Sequence, residues 1–186
     1  MALRGLDRLR ATVLLALASA IVSGGPGRAQ ASASESAVKA TYLYKFAPFV
    51  RWPASAFPSQ SSPFHLCVVE NDPFGTVLEQ AVSGQHLDGH PMAVRRLRSA
   101  ESGAECHILY LGDAAGRSSA DTLRNVKGAP VLTVSDQSRA VQGAVIQFII
   151  KNGRVRFDID SAAAAANGVT ISSKLLSLAV SARPGG

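Results

Sequence analysis

The feature that most constrains this chain is the alternation, between residues 64 and 135, of short apolar runs with turn-capped helical runs. Phe64 to Glu70 (FHLCVVE) reads as a strand, and Asn71-Asp72-Pro73 sets up a helix with Asp72 as N-cap and Pro73 in the first helical position. Met92 to Leu97 is a second, more polar strand that suits a sheet edge. Cys106 to Leu111 (CHILYL) is a third, followed by Gly112-Asp113 and a helix near Ser118 to Lys127 that stops at Gly128. Pro130 to Ser135 is a fourth. Apolar strands joined by helical crossovers imply a parallel sheet covered on both faces.

The C-terminal third changes period. Ala144 to Lys151 and Arg154 to Asp160 alternate around Asn152-Gly153, a two-residue hairpin signal, with Val155, Phe157 and Ile159 on one face and Arg154, Arg156 and Asp158 on the other. Ser161 to Asn167 is an alanine-rich helix ended by Gly168, and Ser172 to Ser181 starts another whose Leu175, Leu176 and Ala179 can pack inward. The expected fold is a three-layer α/β domain. Its sheet is mostly parallel and flavodoxin/Rossmann-like, with an antiparallel C-terminal hairpin edge and helices on both faces.

Ahead of the first strand lies AVKATYLYKFAPFVRWP, residues 37–53, which carries the one tryptophan, Trp52. Its apolar residues recur at helical spacing, and Pro48 should end or kink the helix near Ala47. Lys39, Lys45 and Arg51 fall about 120° apart around the axis, so they share no solvated face and the helix should be covered on more than one side. The last helix is the expected intramolecular cover. Apolar surface left over would dock a partner.

Before that helix, Arg4, Arg8 and Arg10 precede the run ATVLLALASAIV, and Ala29-Gln30-Ala31 follows as an A-x-A site. This is the layout of a secretory signal peptide with cleavage after Ala31, the apolar core being short for a membrane span. A retained membrane anchor is the rival reading. No cysteine lies near the cut, so a lipid-anchored product is not expected. Residues 32–186 then form one domain with no direct membrane insertion, and the expected location is the periplasm. The whole chain is +6, but the first 31 residues hold four arginines and one aspartate, leaving 15 basic and 12 acidic side chains. That balance gives no reason to expect nucleic acid as a partner. The cluster Arg95-Arg96-Leu97-Arg98 reads as a solvated strand edge rather than a phosphate or anionic-lipid site.

No catalytic signature occurs: there is no G-x-S-x-G, S-x-x-K, H-E-x-x-H or phosphate-binding glycine loop in residues 32–186. No enzyme, cofactor or catalytic residue is expected. One constellation has a ligand-binding geometry. Asn71, Asp72, Asp113, Ser135 and Asp136 would all lie at the carboxyl edge of the parallel sheet, where open α/β folds bind ligands. Each aspartate also reads as a helix N-cap. His65-x-Cys67 and Cys106-His107 bring two imidazoles and two sulfurs together, but residues 106 and 107 point to opposite faces of a strand, which disfavours a tetrahedral metal site. His86 and His90 flank a glycine turn and are expected to be exposed.

Six pieces of the chain, in order, resemble the YfiR/HmsC-like family. They are Val38-Lys39-Ala40-x-x-Leu43; Phe46-x-x-Phe49-Val50-x-Trp52-Pro53; Cys67-Val68-x-x-x-Asp72-Pro73-Phe74-Gly75; Val131 to Asp136; Gly153-x-Val155-x-Phe157-x-Ile159; and Ile171 to Leu176. The resemblance implies a periplasmic, non-catalytic regulator that binds the periplasmic domain of an inner-membrane diguanylate cyclase and holds it inactive, lowering cyclic-di-GMP signalling and biofilm formation. Whether a second copy is also a partner stays open. Members of the family similar to this chain carry a cysteine pair at the positions of Cys67 and Cys106, and an even count in an exported chain reads first as a disulfide, with two buried thiols as the alternative. Val141 and Phe148 stand where some members have a second pair.

Two functions are weighed. As an interaction protein the chain would use Tyr42, Tyr44, Lys45, Arg51 and Trp52, because aromatics and arginine dominate interface hot spots. As a small-molecule or cation-binding module it would use the five residues at the carboxyl edge of the sheet.

Overall fold

The buried apolar runs become strands of one sheet, and the turn residues between them set the crossovers. A computed structural model describes residues 27–98, 100–112, 117–136 and 142–183. The elements are α1 (Gly27–Phe46), β1 (Val50–Arg51), β2 (Phe64–Val69), α2 (Thr76–Val82), β3 (His86–Leu87), β4 (His90–Leu97), β5 (Ile108–Leu111), α3 (Arg117–Val126), β6 (Leu132–Asp136), β7 (Ile146–Lys151), β8 (Arg154–Asp160), α4 (Ser161–Ala166), β9 (Thr170–Ile171), α5 (Ser173–Leu178) and β10 (Ala182–Arg183). The sheet runs β10-β8-β7-β6-β5-β2-β4-β3, and β1 pairs with β9 apart from it. Strands β4, β2, β5, β6 and β7 are mutually parallel, while β7 and β8 form the antiparallel hairpin. That parallel order is the flavodoxin-like one, with its switch point between β2 and β5.

Strand alternation divides the core. Leu66 and Val68 of β2 face a large cluster with Leu43 and Phe46 of α1, Leu78 and Val82 of α2, and Phe148 and Phe157 of the hairpin. Cys67 and Val69 face the opposite way, onto Leu109, Leu111, Val126 and Val131, with Leu123 of α3 packed against them. The mixed α/β architecture expected from the sequence is therefore present, helices on both faces included.

Several local expectations need correction. α1 ends at Phe46 and Pro48 enters a short 3-10 turn, as its ring dictates, but the chain then extends into β1, which pairs antiparallel with β9. The main helical neighbour of α1 is α2, not α5. Asp72 does not cap a helix at Pro73. Its carboxylate instead accepts from the Phe74 N–H at 2.7 Å, an Asx turn, and α2 starts after Gly75 at φ 51°. α5 stops at Leu178, and β10 lies beyond β8, so the hairpin is not the outermost pair. β3, too short to show a period, turns into β4 at Asp88-Gly89. The hairpin turn Asn152-Gly153 is as expected, with φ of 53° and 68°.

Residues 1–26, which hold most of the expected signal peptide, lie outside the described residues, and α1 runs through the expected cleavage point at Ala31. Among the described residues no helix is long and apolar enough to cross a membrane.

At the switch point the two strand ends close on each other. The Gly112 N–H donates to the Val69 carbonyl at 3.1 Å, and a Cβ on Gly112 would stand 2.1 Å from the Asn71 carbonyl oxygen and 2.5 Å from that of Val69. Backbone cannot give way as a side chain can. Gly112→Ala is expected to lower stability by about 3 kcal/mol, read as a fall in the urea midpoint at unchanged m-value.

Candidate functional site

The chain leaving α1 builds a cleft at the amino-terminal ends of the parallel strands. Pairing of Val50 with Ile171 and of Arg51 with Thr170 fixes its path. Trp52 is thereby carried inward: it is 9 % exposed and meets Phe64, the first residue of β2, edge to face at 5.1 Å. Its Nε1 has no hydrogen-bond partner among the described residues. Further along, Phe57 stacks between His90 at 4.1 Å and His107 at 4.5 Å, and His107 stacks on Phe64 at 4.6 Å. The cleft these groups border holds about 570 Å³ and is lined by Phe49, exposed Arg51, Trp52, Phe57, Asp88 and His90, among others. His90, expected at the surface, is half-buried, and its Nδ1 donates to the Ser62 carbonyl at 2.7 Å.

His107 lies behind Phe57, outside the cleft lining, and is buried. Its Nε2 donates to the Ala56 carbonyl at 3.1 Å while Nδ1 accepts from the His65 backbone N–H at 3.0 Å, a pattern only the neutral ring satisfies. Protonation would aim a second N–H at the His65 N–H. Burial, reinforced by nearby His65 and His90, pushes the His107 pKa down to about 4 against the pull of the Ala56 carbonyl. His65 is lowered too, by burial first and then by Arg95, whose Nη1 donates to its Nδ1 at 3.3 Å.

At the opposite, carboxyl end of the sheet, the described residues of the expected ligand crevice contact other groups of the protein. Lys39 of α1 is 7 % exposed and is ion-paired to Asp136 at the end of β6 and to Glu35 one turn back. Burial pulls the ammonium pKa down, but hydrogen bonds and charges from Asp136 and Glu35 outweigh it, so the pKa ends above the usual 10.5. Asp72 accepts from Arg96 Nε at 2.7 Å, and Arg96 also pairs with Glu79 and donates to the Gly75 carbonyl at 2.7 Å. Ser135 is buried with its Oγ unpartnered among the described residues, and the Asn71 carbonyl is closed against Gly112. Asp113 and Val141 lie outside the described residues. The basic cluster of β4 is likewise largely spoken for, with Arg95 on Glu105 and Arg96 on two carboxylates.

Of the five aromatic and basic candidates, Arg51 and Trp52 line the cleft and Lys45 is exposed on α1. Tyr42 is half-buried against the core, with its ring 5.8 Å from Phe46, 6.0 Å from Phe148 and 5.6 Å from Phe157. Tyr44 is half-buried against the same cluster. Cys67 and Cys106 are joined in a disulfide with Cα atoms 5.9 Å apart, linking β2 to the segment before β5. Phe148 is fully buried against Phe46. Among the described residues no three His, Cys, Asp or Glu side chains gather to hold a metal.

Two participants were legible in outline only. Lys39, Leu43 and Phe46 recur at helical spacing, which places the lysine on the apolar stripe, but nothing local names Asp136 as its partner. Phe57 and His107, separated by 50 positions, have no sequence signal that joins them.

The protein is thus a small α/β domain of flavodoxin-like sheet order, with an aromatic, arginine-lined cleft at the amino-terminal ends of its strands. The sequence profile of the YfiR/HmsC-like family matches residues 36–180, and the chain belongs to that family. Its members are periplasmic regulators of cyclic-di-GMP signalling, a regulatory rather than a catalytic family.

Two measurements check this geometry. Lys39→Met removes the buried cation that half-buried Asp136 and Glu35 share and is expected to cost about 3 kcal/mol in urea unfolding. For His107, the unfolded ring takes up a proton near pH 6.5 whereas the folded ring resists until about pH 4. Stability is therefore full above pH 6.5 and falls by about 3 kcal/mol as pH drops through that window, His65 adding in the same direction. In a His107→Gln variant most of this slope should vanish.

Proposed function

We propose that the protein is exported, freed of residues 1–31, and binds the periplasmic domain of an inner-membrane diguanylate cyclase, holding it inactive and so restraining cyclic-di-GMP output and biofilm formation. Membership of a regulatory family supports the reading. The observation that carries it is the cleft at the exit of α1. There Arg51 projects beside Trp52, Phe49 and Phe57 on a path pinned by β9, combining the residue types that anchor protein interfaces with a backbone that need not reorganise to bind. Lys45 adds an exposed cation on the same helix exit. Tyr42 and Tyr44 support the surface from behind.

The second reading, a solute or cation bound at the carboxyl edge, has weaker support. Its carboxylates Asp72 and Asp136 are engaged by Arg96 and Lys39, and the switch point is filled by Gly112 and its neighbours.

Retention of the protein from a periplasmic extract on the immobilised cyclase domain tests the proposal. The wild-type chain should be held, and Arg51→Glu should weaken binding roughly 30-fold, about 2 kcal/mol, with no change in melting temperature because Arg51 is exposed. No retention of the wild type, together with a melting shift on adding a periplasmic solute, would instead favour the carboxyl-edge site.

A further inference from the structure

The β7–β8 hairpin carries charge that the fold does not use. Lys151 and Arg154 face each other across the Asn152-Gly153 turn, and Arg156 follows Arg154 on the same face of β8. All three are exposed. Salt bridges among the described residues engage Lys39, Arg95, Arg96, Arg124 and Arg183, and none of these three. They line one open groove of about 510 Å³ together with Asn152 and Val180. The contrast with β4 is direct: its arginines, the more conspicuous cluster in sequence, have carboxylate partners.

Apolar surface accompanies the charge. Three large apolar side chains are exposed among the described residues, and one belongs to this hairpin: Ile150, 49 % exposed, beside Lys151. Val180 is held to β8 by its N–H donating to the Phe157 carbonyl at 2.9 Å. Ile150 lies on the face opposite the cations, so a partner meeting both must take the hairpin by its tip.

We propose that this hairpin tip adsorbs to an anionic phospholipid surface, with Lys151, Arg154 and Arg156 at the headgroup phosphates and Ile150 in the interfacial layer. A bilayer interface presents negative charge and apolar material within a few ångströms of depth and deforms to meet a convex tip. An acidic protein segment would satisfy the cations but leave Ile150 on the other face unused. The contact is peripheral, since no described helix can cross the membrane. It reaches beyond the cyclase interaction and does not depend on it. Adsorption would confine the protein to the membrane plane where its target class resides.

Co-sedimentation of protein purified from the periplasm with large vesicles tests this, comparing pure phosphatidylcholine with phosphatidylcholine doped with phosphatidylglycerol. Partition onto the anionic vesicles should be on the order of 100-fold stronger and should fall as added salt shortens the screening length. Each of Lys151→Gln, Arg154→Gln and Arg156→Gln should weaken it about fivefold, and the triple variant should behave as on neutral lipid. Lys45→Gln, Arg98→Gln and Lys174→Gln together remove the same charge elsewhere and should leave binding nearly intact. Equal partition onto both vesicle types, or equal loss in the two triple variants, overturns the proposal. So does a hairpin triple variant that binds vesicles normally but no longer binds the cyclase domain in lipid-free solution, which would assign the patch to a protein partner.

Discussion

Lys39 can keep its charge on the buried face of α1 because Asp136, 97 positions later, ends β6 beneath it. An ammonium without that partner would be expelled toward water, and the helix would rotate with it. The pair fixes the register of α1 on the sheet. Register in turn sets where Pro48 breaks the helix, which directs Val50 and Arg51 to β9 and delivers Trp52 onto Phe64. The cleft at the amino ends of the strands is thus positioned partly by an ion pair at their carboxyl ends.

The two ends of the sheet differ in how closely their described backbone is packed. Open sheets of this order ordinarily bind ligands beyond the carboxyl ends of their strands, at the switch point. Here that position is closed by the backbone of Gly112 against Val69 and Asn71, and the nearby carboxylates serve the fold. The accessible chemistry lies at the other end, where a His107 ring kept neutral by its two hydrogen bonds props Phe57 and Phe64 apart.

Much of the fold was legible because its signals are local. The runs FHLCVVE and CHILYL are apolar through and through, as strands buried on both faces must be, and Asn152-Gly153 tolerates the positive φ that a tight hairpin demands. Gly128 and Gly168 mark helix ends for the same reason. Where two local preferences competed, the reading failed. Asp72 can cap a helix or close an Asx turn, and the guanidinium of Arg96, brought in by β4, sits on the second carboxylate oxygen while the first takes the Phe74 N–H. β1, β9 and β10 are two residues each, too short for any period to appear.

The sequence by itself determined the alternation of strand and helix, the hairpin, the break at Pro48 and membership of the YfiR/HmsC-like family, because each is written in residues that lie close together or recur in a set order. Tertiary structure alone decided that Lys39 meets Asp136, that α2 rather than α5 covers α1, that Gly112 closes on Val69 and Asn71, and that Phe57 reaches His107. Those are choices among partners far apart in the chain. Side-chain period says which face is buried, but only the closed packing of the whole sheet says against what.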